Sequence, residues 1–471
     1  MVDAGFCPDF PRDVIREVQG LKQPSVNISS PELRDLRSLS WSSIDNDTSR
    51  DLDQVEYVEP LADGAVRLLV GIADVDATVG KNSATDRQAR LEATSVYTGV
   101  ATFPMLPAEL STDLTSLSDA RDRVAMVIDL RVLASGEVAE QSVYPALLRN
   151  YAKLAYSSTG AWLEGGAPLP PAVASVPGME AQLRLQQTTS EKLRALRKQQ
   201  GALTFASAEA IPVVMGGEVR DLQSHRHNVA EDIIESFMVA ANVAMARFLR
   251  ERGSLSLRRV VKTPRRWDRI QIIAANWGFT LPSTPDPRAL SAFLEQRQRA
   301  DPAHFPDLSL SIVKLLGPGE YIVETPGAER EGHFGLAVQD YTHSTAPNRR
   351  YADLVTQRLL KARAGGAEAP YSQSELAELA AHCTEREDAA RKVERLMHKV
   401  MAANLLSGRV GEVFEGIITG ASPKGTYVRL LTFPIEGRVV PGAPGIDVGD
   451  RVRVRLVSVE VEKGFIDFAR I

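Results

Sequence analysis

The chain has 471 residues, of which 44% are hydrophobic and 24% are charged, so it can form a folded core and has the length of about three domains. Its 55 basic and 60 acidic residues give a formal net charge of −5, which excludes nucleic-acid binding through bulk positive charge and leaves only local basic patches for that task. Two distant cysteines, an acidic N-terminal segment and apolar runs too short to span a bilayer exclude the secreted and membrane classes and predict a cytoplasmic protein.

The N-terminal third of the chain is dominated by predicted strands. Residues 1–40 are polar and contain several prolines, with a short helix predicted from Asp13 to Gly20. They are too few to form a core, so we expect them to pack on the rest of the chain. From Trp41 to Arg131 the pattern favours short strands, most clearly in the apolar runs 65–75 and 124–132. The glycine- and proline-rich segment 161–180 predicts an exposed loop.

Two long helices are predicted in the middle of the chain. Asn228 and Glu231 have the spacing of a capping box, and apolar residues recur at helical spacing after them as far as Phe248. A second helix is predicted from about Ser374 to Leu406, where it ends at a Ser-Gly pair. A domain boundary is therefore expected near residue 407.

After residue 408 the hydrophobic period changes to two, which is typical of strands. Five short strands in so few residues favour a small closed barrel of the oligonucleotide-binding (OB) type, with the edge of a sandwich as the alternative. The predicted strands are Arg409–Ile418, Gly425–Leu431, Gly437–Val440, Arg451–Val459 and Gly464–Phe468.

An acidic cluster lies between the first predicted strands. Asp51 and Asp53 are two residues apart and face the same side of an extended segment, and Asp45 can join them if the chain turns back. Three converging carboxylates repel one another unless a cation lies between them, and Mg²⁺ or Mn²⁺ suits such oxygen ligands. An EF-hand calcium loop is excluded, because its glycine and final Glu are absent. A solvated acidic turn is the alternative that remains open.

A second polar segment, around Pro347, contains two adjacent arginines. The guanidinium groups of Arg349 and Arg350 suit phosphate oxygens, both for binding and for stabilising the charge that develops in phosphoryl transfer. The alternative is the start of a surface helix, in which Arg349 pairs with Asp353.

Together these segments resemble the ribonuclease II/ribonuclease R (RNB) family of exoribonucleases, whose members carry T-I-D-x5-D-x-D-D, I-A-D-V and Y-x-H-x-T-S-P-x-R-R-Y segments. This sequence has S-I-D-x5-D-L-D-Q at 43–54, I-A-D-V at 72–75 and Y-T-H-S-T-A-P-N-R-R-Y at 341–351. The resemblance is collinear over about 41–471 and includes an S-one-type RNA-binding barrel at the C-terminal end.

The resemblance implies an α+β fold with three parts. Residues 41–406 would form a large RNB catalytic domain, a mixed sheet or barrel surrounded by helices. Residues 408–471 would form a five-stranded OB-fold barrel. Residues 1–40 would be a short extension, too small for the cold-shock domains that family members usually carry.

The activity implied by the resemblance is processive 3′→5′ hydrolysis of single-stranded RNA to 5′-mononucleotides. The cofactor would be Mg²⁺ or Mn²⁺ held by Asp45, Asp51 and Asp53, and the protein would act as a monomer away from membranes. Arg349 would support the scissile phosphate with help from Arg350.

The resemblance and the barrel pattern also imply contacts to the RNA bases. By resemblance, Tyr97 would stack on the 3′-terminal base, Glu394 would contact the terminal nucleotide, and Phe205 would be the second aromatic of the clamp. Tyr97 as an ordinary core aromatic is the alternative. In the barrel, Tyr427 and Phe414 are candidates for stacking on RNA.

One departure from the family pattern bears on activity. The fourth aspartate of the cluster is Gln54 here, which removes a charge but leaves an amide oxygen that can still coordinate a metal. Activity would then be lower or would depend more strongly on metal concentration. Two further hypotheses are an RNA-binding protein with weakened catalysis on the same scaffold, and a metal-dependent phosphoesterase for another substrate. The C-terminal barrel argues against the second.

Overall fold

A computed structural model of the chain describes residues 1–22, 33–206, 210–215, 218–224, 226–302, 304–422, 425–441, 445–446 and 450–471. The strands are β1 Arg34–Asp35, β2 Trp41–Asp45, β3 Gln54–Pro60, β4 Val66–Ala73, β5 Val96–Tyr97, β6 Thr102–Phe103, β7 Asp122–Val132, β8 Val138–Ala155, β9 Ala210–Met215, β10 Glu218–Ser224, β11 Ser256–Val260, β12 Glu320–Glu324, β13 Val413–Ser422, β14 Gly425–Leu430, β15 Glu436–Val439, β16 Arg451–Glu460 and β17 Phe465–Arg470. The α-helices are α1 Arg12–Gly20, α2 Ala84–Glu92, α3 Tyr156–Leu163, α4 Pro171–Ala174, α5 Met179–Gln200, α6 Val229–Glu251, α7 Trp267–Asn276, α8 Pro287–Ala300, α9 Phe305–Leu316, α10 Tyr351–Ala364 and α11 Gln373–Leu406.

The centre of the larger part is a mixed six-stranded sheet. Its strand order is β1-β8-β2-β3-β4-β7, and β7 also pairs with β8, so that five of these strands form a ring. β4 reads VRLLVGIA and is buried along nearly its whole length, as expected for a strand covered on both faces. The strands predicted at 65–75 and 124–132 are β4 and β7, so both predictions are confirmed.

Helices pack around this sheet and complete the main hydrophobic core. The capping box at the start of α6 is confirmed, because the Asn228 side chain accepts from the Glu231 N–H and the Glu231 carboxylate accepts from the Asn228 N–H. The apolar side of α6, including Ile233 and Phe237, is buried against the sheet. The expected loop at 161–180 is only partly a loop. It contains the short α4, because Pro171 at its first position lacks an N–H that a helix start would leave unpaired.

The helix α11 connects the larger part to the C-terminal barrel. It spans 34 residues, and its bounds confirm the prediction to within one residue. Ser372 and Glu375 form a capping box at its start, and α11 ends at Leu406, seven residues before β13 begins at Val413.

The C-terminal strands form a closed barrel in the order β13-β14-β15-β17-β16, which confirms the OB-type prediction and excludes the sandwich edge. Period-two alternation is clearest in β16, where arginines face solvent and Val452, Val454 and Leu456 face the barrel core. Ala403 and Leu406 of α11 join this core, so the helix end packs directly on the barrel.

The described part of residues 1–40 packs on the rest of the molecule, as expected. Val14 and Val18 of α1 enter the main core, and Phe6 packs against Val96 and α11. The described helices include none that is both long enough and apolar enough to cross a membrane.

Candidate active site

A channel of about 1920 Å³ runs between the larger part and the barrel. Its walls come from the loop after β2, from β5, from α11 and from the barrel, so it forms only when distant parts of the chain meet. The basic side chains along it are Arg50, Arg391, Arg395, His398, Lys399 and Arg438. Asp51, Tyr97 and Glu394 lie in the same wall, which places a carboxylate, an aromatic ring and several cations along one open path.

The acidic loop that follows β2 is fixed by hydrogen bonds to the segment 115–117. Ser116 Oγ donates to the Arg50 carbonyl at 2.7 Å and accepts from the Leu52 N–H at 3.1 Å. The Leu117 N–H donates to the Leu52 carbonyl, and the Ala73 N–H donates to the Asp53 carbonyl. The backbone on both sides of Asp53 is therefore held in place, and its carboxylate has a defined position.

The arginine segment forms a second fixed turn that meets Asp53. The Ala346 N–H donates to Asp353 Oδ1 at 2.8 Å, and Arg350 Nη2 donates to the same oxygen at 2.8 Å. The Asn348 N–H donates to Asp53 Oδ1 at 2.9 Å. The sequence suggested an ion pair between Arg349 and Asp353 at the start of a helix. In the structure Arg350, and not Arg349, forms the ion pair with Asp353.

Arg349 and Asp53 lie next to each other, as the family resemblance implied. Arg349 Nε is 3.6 Å from Asp53 Oδ2, and the Arg349 side chain is half-exposed while Asp53 is 2% exposed. Burial raises the pKa of Asp53 to about 7, although Arg349 and the Asn348 N–H oppose the shift. One half-exposed guanidinium at 3.6 Å therefore does not offset the cost of burying the Asp53 charge.

A further acidic pair lies on the neighbouring strands. Asp45 ends β2, accepts from the Asn46 N–H at 2.7 Å, and has a pKa raised by burial. Glu56 on β3 is fully buried, and both of its carboxylate oxygens lack a hydrogen-bond partner among the described residues. Burial and the charge of Asp45 hold the pKa of Glu56 well above its ordinary value. Glu56 pairs with Ser42 in the sheet, and no sequence pattern predicts its burial without a partner among the described residues.

The carboxylates near the acidic loop have the chemistry of divalent-cation ligands, but their spacing is wider than a bound ion requires. Asp45, Asp51, Asp53 and Glu56 are four carboxylates, and Arg349 is the cation whose charge acts on Asp45 and Asp53. The carboxylate oxygens of Asp45, Asp51 and Asp53 do not all lie within 4.8 Å of one another. Among the described side chains, one group does have ligand atoms this close together: His227, Asp232 and Glu235. In that group Asp232 and Glu235 already pair with Arg194 and Arg197, so their charges are balanced.

Tyr97 and Glu394 meet at the channel wall. The Tyr97 N–H donates to Glu394 Oε1 at 3.2 Å, and the Tyr97 residue is 38% exposed, which excludes an ordinary core role for its ring. Desolvation raises the pKa of the Tyr97 hydroxyl, Arg349 opposes the shift, and Asp51 and Asp53 add to it. The ring therefore lies within electrostatic reach of the acidic loop.

The other aromatic candidates are placed differently. Tyr427 on β14 lines the channel. The prediction that Phe414 stacks on RNA is wrong, because β13 turns its ring into the barrel core. There Phe414 is 5% exposed, and its ring meets that of Phe468 edge-on with 6.3 Å between the ring centroids. Phe205 packs against the cluster formed by α7, α8 and α9 and is absent from the described channel wall. Gln54 is buried as the first residue of β3, directly after Asp53.

Two family models match this sequence. One, described as RNB domain, matches residues 33–365, and the other, described as RNase II-type exonuclease C-terminal S1 domain, matches residues 412–471. Ribonuclease R of Escherichia coli (strain K12) is 30% identical over 502 residues, which cover 98% of this chain and 60% of that protein. The chain thus spans about 60% of the length of that relative.

The fold is also found in solved structures. Mycoplasma genitalium RNase R in complex with ribose methylated single-stranded RNA matches with a TM-score of 0.91 and 23% identity, over 100% of this chain and 77% of that chain. Yeast Ssd1, described as a pseudonuclease, matches with a TM-score of 0.73 and 18% identity, over 88% of this chain and 51% of that chain. These two likenesses establish the fold and do not decide the activity.

The family to which this chain belongs follows from the share of the sequence that the first family model matches. Since the RNB-domain model matches residues 33–365, more than half of the sequence, this chain belongs to the RNB-domain family and carries an RNase II-type S1 domain at residues 412–471.

Proposed function

We propose that this chain is a metal-dependent 3′→5′ exoribonuclease that hydrolyses single-stranded RNA to 5′-mononucleotides. The observation that carries the proposal is the approach of Arg349 Nε to within 3.6 Å of the buried Asp53 carboxylate, next to a channel with an exposed aromatic ring. An acid with a raised pKa beside an available guanidinium is a typical arrangement for phosphoryl transfer.

Each residue would have a distinct task at this site. Asp45, Asp51 and Asp53 would hold Mg²⁺ or Mn²⁺, which when bound supplies water activation and stabilises the leaving 3′ oxygen. The half-exposed Arg349 would donate to the scissile phosphate and offset its charge in the transition state. Arg350 is paired with Asp353, so its task would be to fix the turn that carries Arg349 rather than to bind RNA directly.

Substrate positioning would depend on the channel wall. Tyr97 would stack on the terminal base, and Glu394, which already accepts from the Tyr97 N–H, would contact the terminal nucleotide. The cations of α11 and Arg438 would follow the phosphate backbone, while Tyr427 of the barrel would stack on an upstream base. The protein would act as a monomer in the cytoplasm; Cys7 and Cys383 are free thiols, which suits a reducing compartment.

A second function is favoured by one observation. Gln54 stands where the family pattern has an aspartate, and a protein described as a pseudonuclease shares this fold. The chain could then be an RNA-binding protein with weakened catalysis, which would keep the channel contacts and lose turnover.

One assay separates the two functions. Single-stranded RNA labelled at its 5′ end is incubated with the full chain and Mg²⁺ or Mn²⁺, and the products are resolved over time; the same RNA labelled at its 3′ end reports the first nucleotide released. Labelled mononucleotides released at once from the 3′ end support the exoribonuclease. A stable complex without products, under both metals, would contradict it and favour the binding protein.

A further inference from the structure

Phe6, near the N-terminal end of the chain, is buried directly behind the channel wall. It is 2% exposed and packs against Val96, Ala390 and Val393 in a small apolar cluster that is separate from the main core. Val96 belongs to β5, and the other two residues belong to α11. The N-terminal segment therefore joins the two elements that form this part of the wall.

The register of β5 and β6 gives the cluster one face of the strands and the channel the other. Val96 lies opposite Phe103, and both pack in the cluster around Phe6. Tyr97 lies opposite Thr102, and both line the channel. Successive side chains of a strand point to opposite faces, so Phe6 lies behind the strand and the Tyr97 ring lies in front of it. Phe6 thus supports the strand that carries the stacking ring.

The helix α11 has the same two-sided arrangement. Ala390 and Val393 pack on Phe6. Glu394, the next residue along the helix, lines the channel and accepts from the Tyr97 N–H at 3.2 Å. This hydrogen bond joins the helix and the strand on the channel side, and Phe6 joins them on the other side. The contact between Tyr97 and Glu394 therefore depends on a spacing of β5 and α11 that the Phe6 ring fills.

Arg386 of α11 fixes the position of Phe6. Its guanidinium carbon lies 3.7 Å from the centre of the Phe6 ring, a distance typical of a cation–π contact. Its terminal nitrogens donate to the carbonyls of Ala4 and Gly5 at 3.2 and 3.1 Å. Gly5 has φ +79°, and a Cβ there would lie 3.1 Å from Arg386 Nη1, so glycine suits this close approach. Hydrogen bonds as well as apolar contacts thus hold the Phe6 ring in place.

We infer that Phe6 is a positioning residue for the terminal nucleotide: it sets the spacing of β5 and α11, and with it the orientation in which Tyr97 and Glu394 meet the 3′-terminal base. The inference rests on the proposed function, which assigns the terminal nucleotide to these two residues. Phe6 itself does not touch RNA. Its loss would leave the cations of the channel in place and would weaken the contact to the terminal base.

The test measures stacking of the terminal base on the full chain, in EDTA so that the RNA stays intact. The probe is single-stranded RNA with the fluorescent base 2-aminopurine at its 3′ end, whose emission is quenched when the base stacks on an aromatic ring. Stacking on one ring contributes roughly 5- to 150-fold in affinity, and we expect Phe6→Ala to lose at least about threefold, together with part of the quenching. Phe6→Leu keeps an apolar side chain in the cluster and should restore most of both.

Two controls separate positioning from general destabilisation. Val14→Ala removes a buried apolar group from α1, which packs in the main core, so it should lower Tm and leave the quenching unchanged. An RNA whose 3′-terminal nucleotide lacks its base should bind equally well to the unsubstituted chain and to Phe6→Ala. Unchanged quenching in Phe6→Ala, an equal loss in Val14→Ala, or an equal loss of affinity for the base-free RNA would overturn the inference.

A second variant tests the same role if Phe6→Ala does not fold. Arg386→Lys keeps the positive charge, but lysine lacks the planar fork that donates to two carbonyls at once. It should loosen the segment that carries Phe6 and reduce the quenching of the terminal base. Full quenching in a folded Arg386→Lys chain would then count against the inference.

The outcomes also distinguish the inference from the proposed function. If Phe6→Ala loses stacking of the terminal base and the unsubstituted chain hydrolyses no RNA, the proposed activity fails and the role of Phe6 stands. If RNA is hydrolysed and Phe6→Ala stacks the terminal base as before, the role of Phe6 fails and the activity stands. Absence of quenching in the unsubstituted chain would overturn the role of Phe6 together with the stacking role of Tyr97.

Discussion

The Asp53 carboxylate is held by one backbone N–H and one guanidinium, and both contacts come from the segment 346–350 almost 300 residues later in the chain. Burial raises its pKa to about 7, so at neutral pH a nearby cation would decide whether it is ionised. The residue therefore combines two properties of a metal ligand: a fixed backbone and an unmet need for positive charge.

Asp53→Asn should abolish cleavage, with kcat lower by at least about 10²-fold, and should leave RNA affinity nearly unchanged. The amide keeps the Oδ1 that accepts from the Asn348 N–H but removes the charge needed for catalysis. Single-turnover cleavage and equilibrium RNA binding measure the two quantities. Unchanged turnover in this variant would reject the catalytic assignment of Asp53.

The stability of the metal-free chain should depend on Asp53 and on pH. Its folded pKa of about 7 lies above the value of about 4 in an unfolded chain, so the stability from this group is fully present below about pH 4 and is lost as the pH rises through 7. With EDTA present, Asp53→Asn should raise Tm clearly at pH 8 and less at pH 5. Equal differences at the two pH values would show that Asp53 does not titrate in this range.

Tyr97→Ala should weaken binding of single-stranded RNA by about 1–3 kcal/mol, because one base loses its stacking partner. Tyr151→Ala is the matched control, since that ring is similarly exposed but is absent from the described channel wall. Fluorescence anisotropy with RNA that has a free 3′ end measures both variants. An equal loss in the two would mean that Tyr97 makes no specific contact.

Individual site residues could be predicted only where a sequence pattern points to them. Asp53 and Arg349 lie in spaced motifs, and the structure brings them together. Phe414 could not be separated from Tyr427, because both are aromatic residues in predicted strands and only the barrel register shows which ring faces inward. The burial of Glu56 without a partner among the described residues could not be predicted, because it depends on tertiary packing.

The helix α11 organises one wall of the channel. Arg391, Arg395, His398 and Lys399 recur at three- and four-residue spacing, so they share one face, and Glu394 lies among them. The bounds of α11 could be predicted well because its capping box and its Ser-Gly end are local signals. Which face meets the channel was not predictable, since it depends on where the barrel packs.

Replacing Arg395 and Lys399 together by Gln should reduce the salt dependence of RNA binding. Each phosphate contact to a single strand contributes about 0.7 to the slope of log affinity against log salt concentration, so the slope should fall by about 1.4. Lys392→Gln is the control, because Lys392 is on the same helix but is absent from the described channel wall. A slope change as large in the control would mean that the effect is one of net charge.

The barrel and the larger part are joined by contacts that no local pattern predicts. Arg429 of β14 forms an ion pair with Asp307 of α9 at 3.0 Å, and Leu222 of β10 packs into the barrel core. The fold of each part could be predicted from periodicity, turn residues and family resemblance. The channel between the parts could not be predicted, because it depends on how they dock.

The proposed activity requires a cation site shared by the acidic loop and the arginine turn. Its most direct test is a crystal of the full chain soaked in Mn²⁺ alone, with anomalous diffraction recorded at the manganese absorption edge. We expect an anomalous peak among the carboxylates of Asp45, Asp51 and Asp53, on the side of Arg349. A peak at His227, Asp232 and Glu235 with none at the aspartates would contradict this assignment of the metal site.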